Sequence, residues 1–526
     1  MSQAFLNLQA KIGSTVSIDA LKEHYSEMPK AYQNVVEEDV FVKYFLSGKR
    51  DTFLWHDYEA GGKHAPSVTP LQFAGVRTTL DLEIIDVPID IYCKLDWDRL
   101  PHPEAIAITK INPITCLEKG VEEPVFFRNI EKEMAVPKTC TVGYNSMRYD
   151  EGVSRFGFWR TLIPVYEREY KNGNSRWDLL PVMAAYASLA VPGIKIPTLE
   201  DGKKSLKLEN LATANNISQE NAHNAVDDVY ALIGLAKLLK ESSSPLWDYC
   251  FESRVKKNAA GRCAEASTGI LFSVMMGSEN NYSKPIVFLG ASPRNKNSER
   301  VYLAIDDQPS VRKLWHQSAE EIKSALFSKK EELEESGVER PPLGAVKTNE
   351  GPVFIPFSWL QRHDFNVEDD SGLFAEKVMM QNSFIEKLLH VYSASEMESA
   401  SDPELALYGG FPIKEDAFLI QQIRNCSIEE GFAEGVGQFY DENLKTIFEH
   451  ARARLRTNEA VTLSADELYN WKKYCAHRQW RQIEEGDKTN DLNLTNVDEV
   501  LESVEMETEL KEGYKRYLTW VKENLA

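Results

Sequence analysis

No stretch of this 526-residue chain approaches the roughly 20 consecutive apolar residues that a membrane-crossing helix needs. The opening segment MSQAFLNLQAKIGSTVSIDA lacks a basic region followed by a sustained apolar run, so no secretion signal is expected and the sequence reads as cytoplasmic. Cysteine is sparse. The seven residues Cys93, Cys116, Cys140, Cys250, Cys263, Cys426 and Cys475 are scattered, with no two at the close spacing of a zinc or redox pair, so buried free thiols are expected. Positive charge is also short: 60 Lys and Arg face 81 Asp and Glu, a formal charge of −21. That deficit argues against a protein that coats nucleic acid through a broad basic field and leaves any such contact to a local groove. Internal repeats and low-complexity tracts are absent.

What is present is the composition of a globular chain, 43% hydrophobic and 27% charged, long enough for about three domains. Residues 1–48 contain one amphipathic helix, roughly Ser17 to Phe45, with no recognisable chemistry. From Asp51 the pattern turns to short β-rich runs, FLWHDYEA, LQFAGVRT, LEIIDVPIDIYCKL and KTCTVGYN, followed by the helical segments DLLPVMAAYASLA and NAVDDVYALIGLAKLLKE. An α/β or α+β domain is expected over 49–244, ended by the break at Ser242, Ser243, Ser244 and Pro245. Between 245 and 396 the strand candidates GILFSVMMG, KPIVFLGAS, RVYLAID and GPVFIPFSW, with one or two charged helices among them, suggest a small barrel or sandwich. Residues 397–526 read as a helical bundle, with Ser427–Glu430 and Ser464–Glu467 both fitting the Ser-x-x-Glu capping box.

Three clusters carry possible chemistry. In Phe53-Leu54-Trp55-His56-Asp57-Tyr58-Glu59 two carboxylates stand two residues apart, which on a strand puts both on one face. Like charges so placed repel unless a cation lies between them, and a hard divalent ion such as Mg²⁺ takes oxygen ligands. The spacing alone is equally that of a solvated strand face, and Asp81-Leu82-Glu83 repeats it at the edge of another strand. In Gly143-Tyr144-Asn145-Ser146-Met147-Arg148-Tyr149-Asp150, Asn145 and Asp150 follow a strand end, where α/β folds place sites, though Asp150 also suits a helix cap. In Asn221-Ala222-His223-Asn224-Ala225-Val226-Asp227-Asp228, His223 and Asp228 would lie some 140° apart on a continuous helix at about 100° per residue. They converge only if His223 sits at or before the first turn. Helical phase separates the two aspartates: Asp228 shares a stripe with Ala225, Leu232 and Leu235, so it faces inward, where a bare carboxylate is costly.

The order D-x-E, then D, then H-x4-D within one domain resembles the DEDDh group of 3′→5′ exonucleases, which have a ribonuclease H-like fold. Through HDYE, VGYNSMRYD, NSRWDLLPVM and NAHNAVDDVYALIGLAKL, and further on LWDYCFESR and ELALYGGF, residues 50–526 are similar to the bacterial exodeoxyribonuclease I family. The resemblance implies an exonuclease domain, an SH3-like β-barrel domain and an all-helical domain around a groove for single-stranded DNA. It implies that Asp57, Glu59, Asp150 and Asp228 hold two Mg²⁺ or Mn²⁺ ions, with Asp57 between them, and that His223 deprotonates the attacking water. The expected activity is processive 3′→5′ hydrolysis of single-stranded DNA to 5′-mononucleotides in DNA repair and recombination, by a monomer. The alternatives are an exoribonuclease trimming RNA 3′ ends and a non-catalytic single-strand DNA-binding scaffold.

By the same resemblance Arg155, Arg160, Tyr166, Tyr249 and Lys256 line the groove, where bases stack and phosphates need charge. Three positions depart from the family. Ala60 follows Glu59 where many relatives have Thr. Lys207, in SLKLENL, replaces a substrate-side arginine and cannot make its bidentate phosphate contact. Ala190 stands where a close relative has an arginine implicated in docking the acidic tail of single-strand DNA-binding protein, the other partner the resemblance implies.

Overall fold

The computed structural model describes residues 17–48, 51–217, 225–365, 367, 372–393, 400–459, 461–481 and 492–525. The chain packs as two units: Met1–Ser175 with Gln219–Ile233 and Glu398–Ala526, and Arg176–Ser218 with Gly234–Met397. Among the described residues no helix is long and apolar enough to cross a membrane.

In the first unit the single helix expected near the N-terminus is three: α1 (Ile18–Ser26), α2 (Lys30–Gln33) and α3 (Glu38–Leu46). Pro29 breaks the run, because the residue before a proline is pushed out of the helical region and Pro29 itself holds ψ 145°. Glu37, at ψ 144°, makes the second break. The three helices enclose Leu21, Tyr32, Phe41 and Phe45 over Ile85, and the Tyr32 hydroxyl donates to the Ile85 carbonyl at 2.9 Å.

Four strands of this unit run side by side in the order β3-β2-β1-β4: β1 (Thr52–Ala60), β2 (Pro70–Thr79), β3 (Ile89–Tyr92) and β4 (Thr139–Gly143). β1 pairs antiparallel with β2 and parallel with β4, so the sheet is mixed. The run LEIIDVPIDIYCKL yields only β3; Leu82 sits in a left-handed turn (φ 66°), and Pro88 has no N–H to give a ladder. Helices α4 (Glu123–Met134) and α5 (Asp150–Arg160) cover one face of the sheet, packing Phe126, Phe127, Ile130, Val153 and Phe158 against Leu54, Tyr58 and Phe73. Burial of five such side chains at about 1.5–3 kcal/mol each outweighs any one polar contact in the layer.

The C-terminal segment is helical as expected, and both capping boxes form, Ser427 with Glu430 and Ser464 with Glu467. It shares cores with the sheet domain: Phe156 and Trp159 of α5 meet Ile423, Phe448 and Leu455, while Leu71 and Trp97 meet Trp471, Tyr514 and Tyr517. Arg454 spans this junction, with Asp98 at 2.6 Å and Glu404 at 2.7 Å.

The second unit holds an all-antiparallel sheet in the order β10-β6-β7-β8-β9, with β6 at Thr268–Phe272, β7 at Ser283–Ala291, β8 at Glu299–Ala304, β9 at Leu343–Lys347 and β10 at Val353–Pro356. A fifth, chain-order strand, β5 (Ser175–Asp178), precedes it. LGAVK, a short run carrying one glycine, forms a strand that its sequence does not announce, and Val274–Met276, part of the expected strand GILFSVMMG, instead forms a turn capped by Ser273. Helices are more numerous than the one or two expected. Gln308–His316, Ala319–Phe327, Lys330–Ser336, Gly372–Met379 and Asn382–His390 all form, the second opened by a Ser318–Glu321 capping box. Six of the seven cysteines are buried thiols, but Cys426 is exposed.

Candidate active site

Strand β1 is buried at every position from Thr52 to Ala60 except two, Asp57 and Glu59, which are partly open. The period of two places this pair on one face and His56 and Tyr58 on the other. His56 is a core residue: its ring stacks on Phe73 at 5.9 Å, and burial pushes its pKa down to about 4, so it stays neutral and turned away from the carboxylates.

The helix α6 (Ala225–Ser242) delivers Asp228 to the same face. One carboxylate oxygen from each of Asp57, Glu59 and Asp228 lies within 4.8 Å of the others. Of the two adjacent aspartates, both half-buried, it is Asp228 that joins Asp57 and Glu59, as helical phase predicts. Two like charges about 5 Å apart repel by about 3 kcal/mol at an effective dielectric of about 20, before screening by water. Accordingly Asp57 is pushed up to about 7, first by burial and then by the charge of Asp228. Glu59 is pushed up to about 9, by burial and then by Asp57 and Asp228. Three half-buried carboxylates that repel one another form an all-oxygen donor set, the chemistry that suits a hard divalent cation.

Asp150 comes from a third element. It opens helix α5 and is 5% exposed. The approach to it is tight: Gly143 ends β4, where a side chain would meet the Ser146 Cβ at 2.6 Å, and Asn145 turns the chain left-handed (φ 62°). Beside Asp150, Tyr149 donates its hydroxyl to the Gly62 carbonyl. That hydroxyl is held above its ordinary pKa by burial, then by the charges of Asp150, Glu59 and Asp57, which surround it. Asp57, Glu59, Asp150 and Asp228 therefore come from two strand positions and two helix starts of one unit. His223 lies outside the described residues.

The groove candidates fare differently. Arg160 is 1% exposed; its guanidinium donates to Glu123 at 2.8 Å and to the Pro66 and Val68 carbonyls, so it is a core ion pair rather than a groove residue. Tyr249 is also buried, donating to the Phe354 carbonyl at 3.1 Å beneath the Arg262 guanidinium, which rules it out as an open stacking platform. Arg155 is engaged by Glu169 through two bonds, 2.8 and 3.0 Å, and lies over the Tyr166 ring. Lys207, before the helix Leu208–Ala214, and Lys256, opening the helix Lys256–Arg262, are exposed. Ala190 adopts φ 49° after the helix Leu179–Ser188. Tyr149 and the Tyr58–Ser154 hydrogen bond of 3.0 Å emerge only in the fold; the one signal for them in the sequence is the alternation of β1, which turns Tyr58 to the back of the site.

Comparison with known proteins identifies the family. Residues 54–236 match the family model described as Exonuclease, 255–393 the Exonuclease I SH3-like domain, and 401–523 the Exonuclease I C-terminal domain. The curated exodeoxyribonuclease I of Haemophilus influenzae is 36% identical over 430 residues, covering 80% of this chain and 89% of its own. A moderately thermophilic exonuclease I from Methylocaldum szegediense superposes with a TM-score of 0.80 at 29% identity, covering 91% of this chain and 100% of its own. A zinc-bound complex of Escherichia coli exonuclease I with single-stranded DNA superposes at 0.79 with 27% identity, covering 90% and 100%. With its three matched domains in order and its carboxylates gathered on one face, the chain belongs to the exodeoxyribonuclease I family.

Proposed function

We propose that this enzyme shortens single-stranded DNA from its 3′ end by hydrolysis, releasing 5′-mononucleotides, with Asp57, Glu59, Asp150 and Asp228 holding two divalent cations. The observation that carries the reading is the mutual approach of Asp57, Glu59 and Asp228, whose repulsion raises their demand for a counter-ion. Bound there, Mg²⁺ or Mn²⁺ would supply Lewis-acid stabilisation of the phosphate and of the attacking and leaving oxygens. The chain's own residues do the rest. β1 and the starts of α5 and α6 hold the carboxylates in place, and His223, with a reference pKa of about 6.5, takes the proton from the attacking water oxygen. Lys207 and Lys256 are open to solvent and suit single-point contacts to the DNA backbone.

The single-stranded DNA in the Escherichia coli complex supports DNA over RNA as substrate. A role in repair and recombination, a monomeric state and a domain division near residues 245 and 397 belong to the same reading. The test uses single-stranded DNA and RNA of equal length, labelled at the 5′ end, with Mg²⁺. Progressive shortening of the DNA from its 3′ end is expected, and faster shortening of the RNA would contradict the assignment.

A further inference from the structure

The fourth carboxylate, Asp150, is carried on a helix whose approach is irregular: Tyr149, just before it, sits at φ −131° and ψ −67°, outside the helical region. Backbone regularity therefore does not fix where Asp150 stands relative to Asp57. Side chains at and just before the first turns of α5 do. The Ser154 hydroxyl bonds the hydroxyl of Tyr58, which lies between Asp57 and Glu59 on β1, and Tyr149 bonds Gly62, two residues beyond the end of that strand. A third tie is ionic. Glu151, next to Asp150, receives two bonds from Arg168, 3.2 and 2.7 Å, with Glu151 2% and Arg168 1% exposed. One turn on, the signs reverse, and Arg155 grips Glu169. Sliding α5 by one turn would set Arg155 against Arg168, like against like, so the paired charges allow one register only.

Fully buried ion pairs are poor sources of net stability, since desolvating both charges roughly cancels their attraction and apolar replacements are often as stable. Their directional bonds, in contrast, fix position. We propose that the Glu151–Arg168 pair is a positioning device for Asp150, setting its distance from Asp57 and through that the affinity for the second of the two cations. This rests on the metal-dependent reading of the site given above. Asp57, Glu59 and Asp228 already gather without Asp150, so a fault in the pair should weaken one cation and spare the other. Glu151 and Arg168 bond each other and act on the site only through Asp150.

The test is a Mn²⁺ titration of the whole protein, followed by the paramagnetic resonance of free Mn²⁺, for the wild type, Arg168→Lys, and Glu151→Leu combined with Arg168→Met. The lysine variant keeps the charge and loses the two-pronged bond. The double variant removes both charges, so it stays informative if the single one does not fold. The wild type should bind two ions; the variants should keep the tighter one and bind the weaker at least about 10-fold less well, the range seen when groups orienting a metal ligand are lost. In cleavage assays kcat at limiting Mn²⁺ should fall, excess Mn²⁺ should restore it, and the KM for DNA should not move. Variants that bind both ions with wild-type affinity would overturn the positioning role and leave the site assignment standing. A wild type that binds fewer than two ions would overturn both.

Discussion

The chain carries the pattern Asp-x-Glu twice within 27 residues, at Asp57-Tyr58-Glu59 and at Asp81-Leu82-Glu83, and the two have opposite fates. The first lies in the middle of the sheet, partly open on one face, where α6 adds Asp228 and the negative charges raise one another's pKa. The second lies in the turn after β2, where left-handed Leu82 interrupts any strand and Glu83 meets Lys43 of α3 at 3.1 Å. In one case a lysine supplies the positive charge; in the other a third carboxylate sharpens the need for it. Spacing sets which side chains share a face, but what the rest of the fold brings to that face decides the chemistry.

The largest effect is expected at the carboxylates. Asp150→Ala should reduce kcat by at least about 10³-fold, since several kcal/mol of charge stabilisation is lost at 1.36 kcal/mol per decade. Binding of single-stranded DNA should be retained, as measured by fluorescence anisotropy. Unchanged turnover would remove Asp150 from the site.

A pH series sharpens the contrast. Folded-state pKa values of about 7 for Asp57 and about 9 for Glu59 lie above their unfolded values near 4. A group raised in this way contributes its stability below the unfolded pKa and loses it as pH climbs through the folded one. The metal-free protein should therefore lose melting temperature between pH 5 and 9, and the rise on adding saturating Mg²⁺ should be larger at pH 9 than at pH 6. An equal rise at both, by differential scanning fluorimetry, would mean the carboxylates do not hold the ion.

The matched pair of substitutions Glu59→Gln and Glu83→Gln tests the contrast itself. Glu59→Gln should stabilise the metal-free protein at pH 9 while weakening Mg²⁺. Glu83→Gln should change stability by no more than about 0.5 kcal/mol, the scale of an exposed ion pair, and leave Mg²⁺ binding alone. The smallest effect expected is at Lys207→Ala and Lys256→Ala: a rise in KM of a few fold with kcat unchanged, and a salt dependence of binding shallower by about 0.7 per lysine.

Much of this architecture was legible in the sequence because it follows from period and punctuation. The alternation of FLWHDYEA set Asp57 and Glu59 together, and the stripe through Ala225, Leu232 and Leu235 chose Asp228 over Asp227. Ser464 and Glu467 announced their own helix. What escaped depends on contacts distant in sequence. Nothing near Arg160 reveals that Glu123 will bury it, and nothing near Tyr249 reveals Phe354, so both read as groove residues. Strand β9 is five residues long and owes its state to pairing with β8 rather than to its own propensity. Pro29 was in plain view, and the single N-terminal helix overlooked it.

If the carboxylates on β1 make this enzyme a metal-dependent 3′ exonuclease, the outcome is read by digesting 5′-labelled single-stranded DNA with metal-stripped wild type and Asp57→Asn, before and after Mg²⁺ is restored. A ladder receding from the 3′ end, formed by the wild type only when Mg²⁺ is present and not by Asp57→Asn, is the expected result. Cleavage by the stripped enzyme, or by Asp57→Asn at the wild-type rate, would contradict the account.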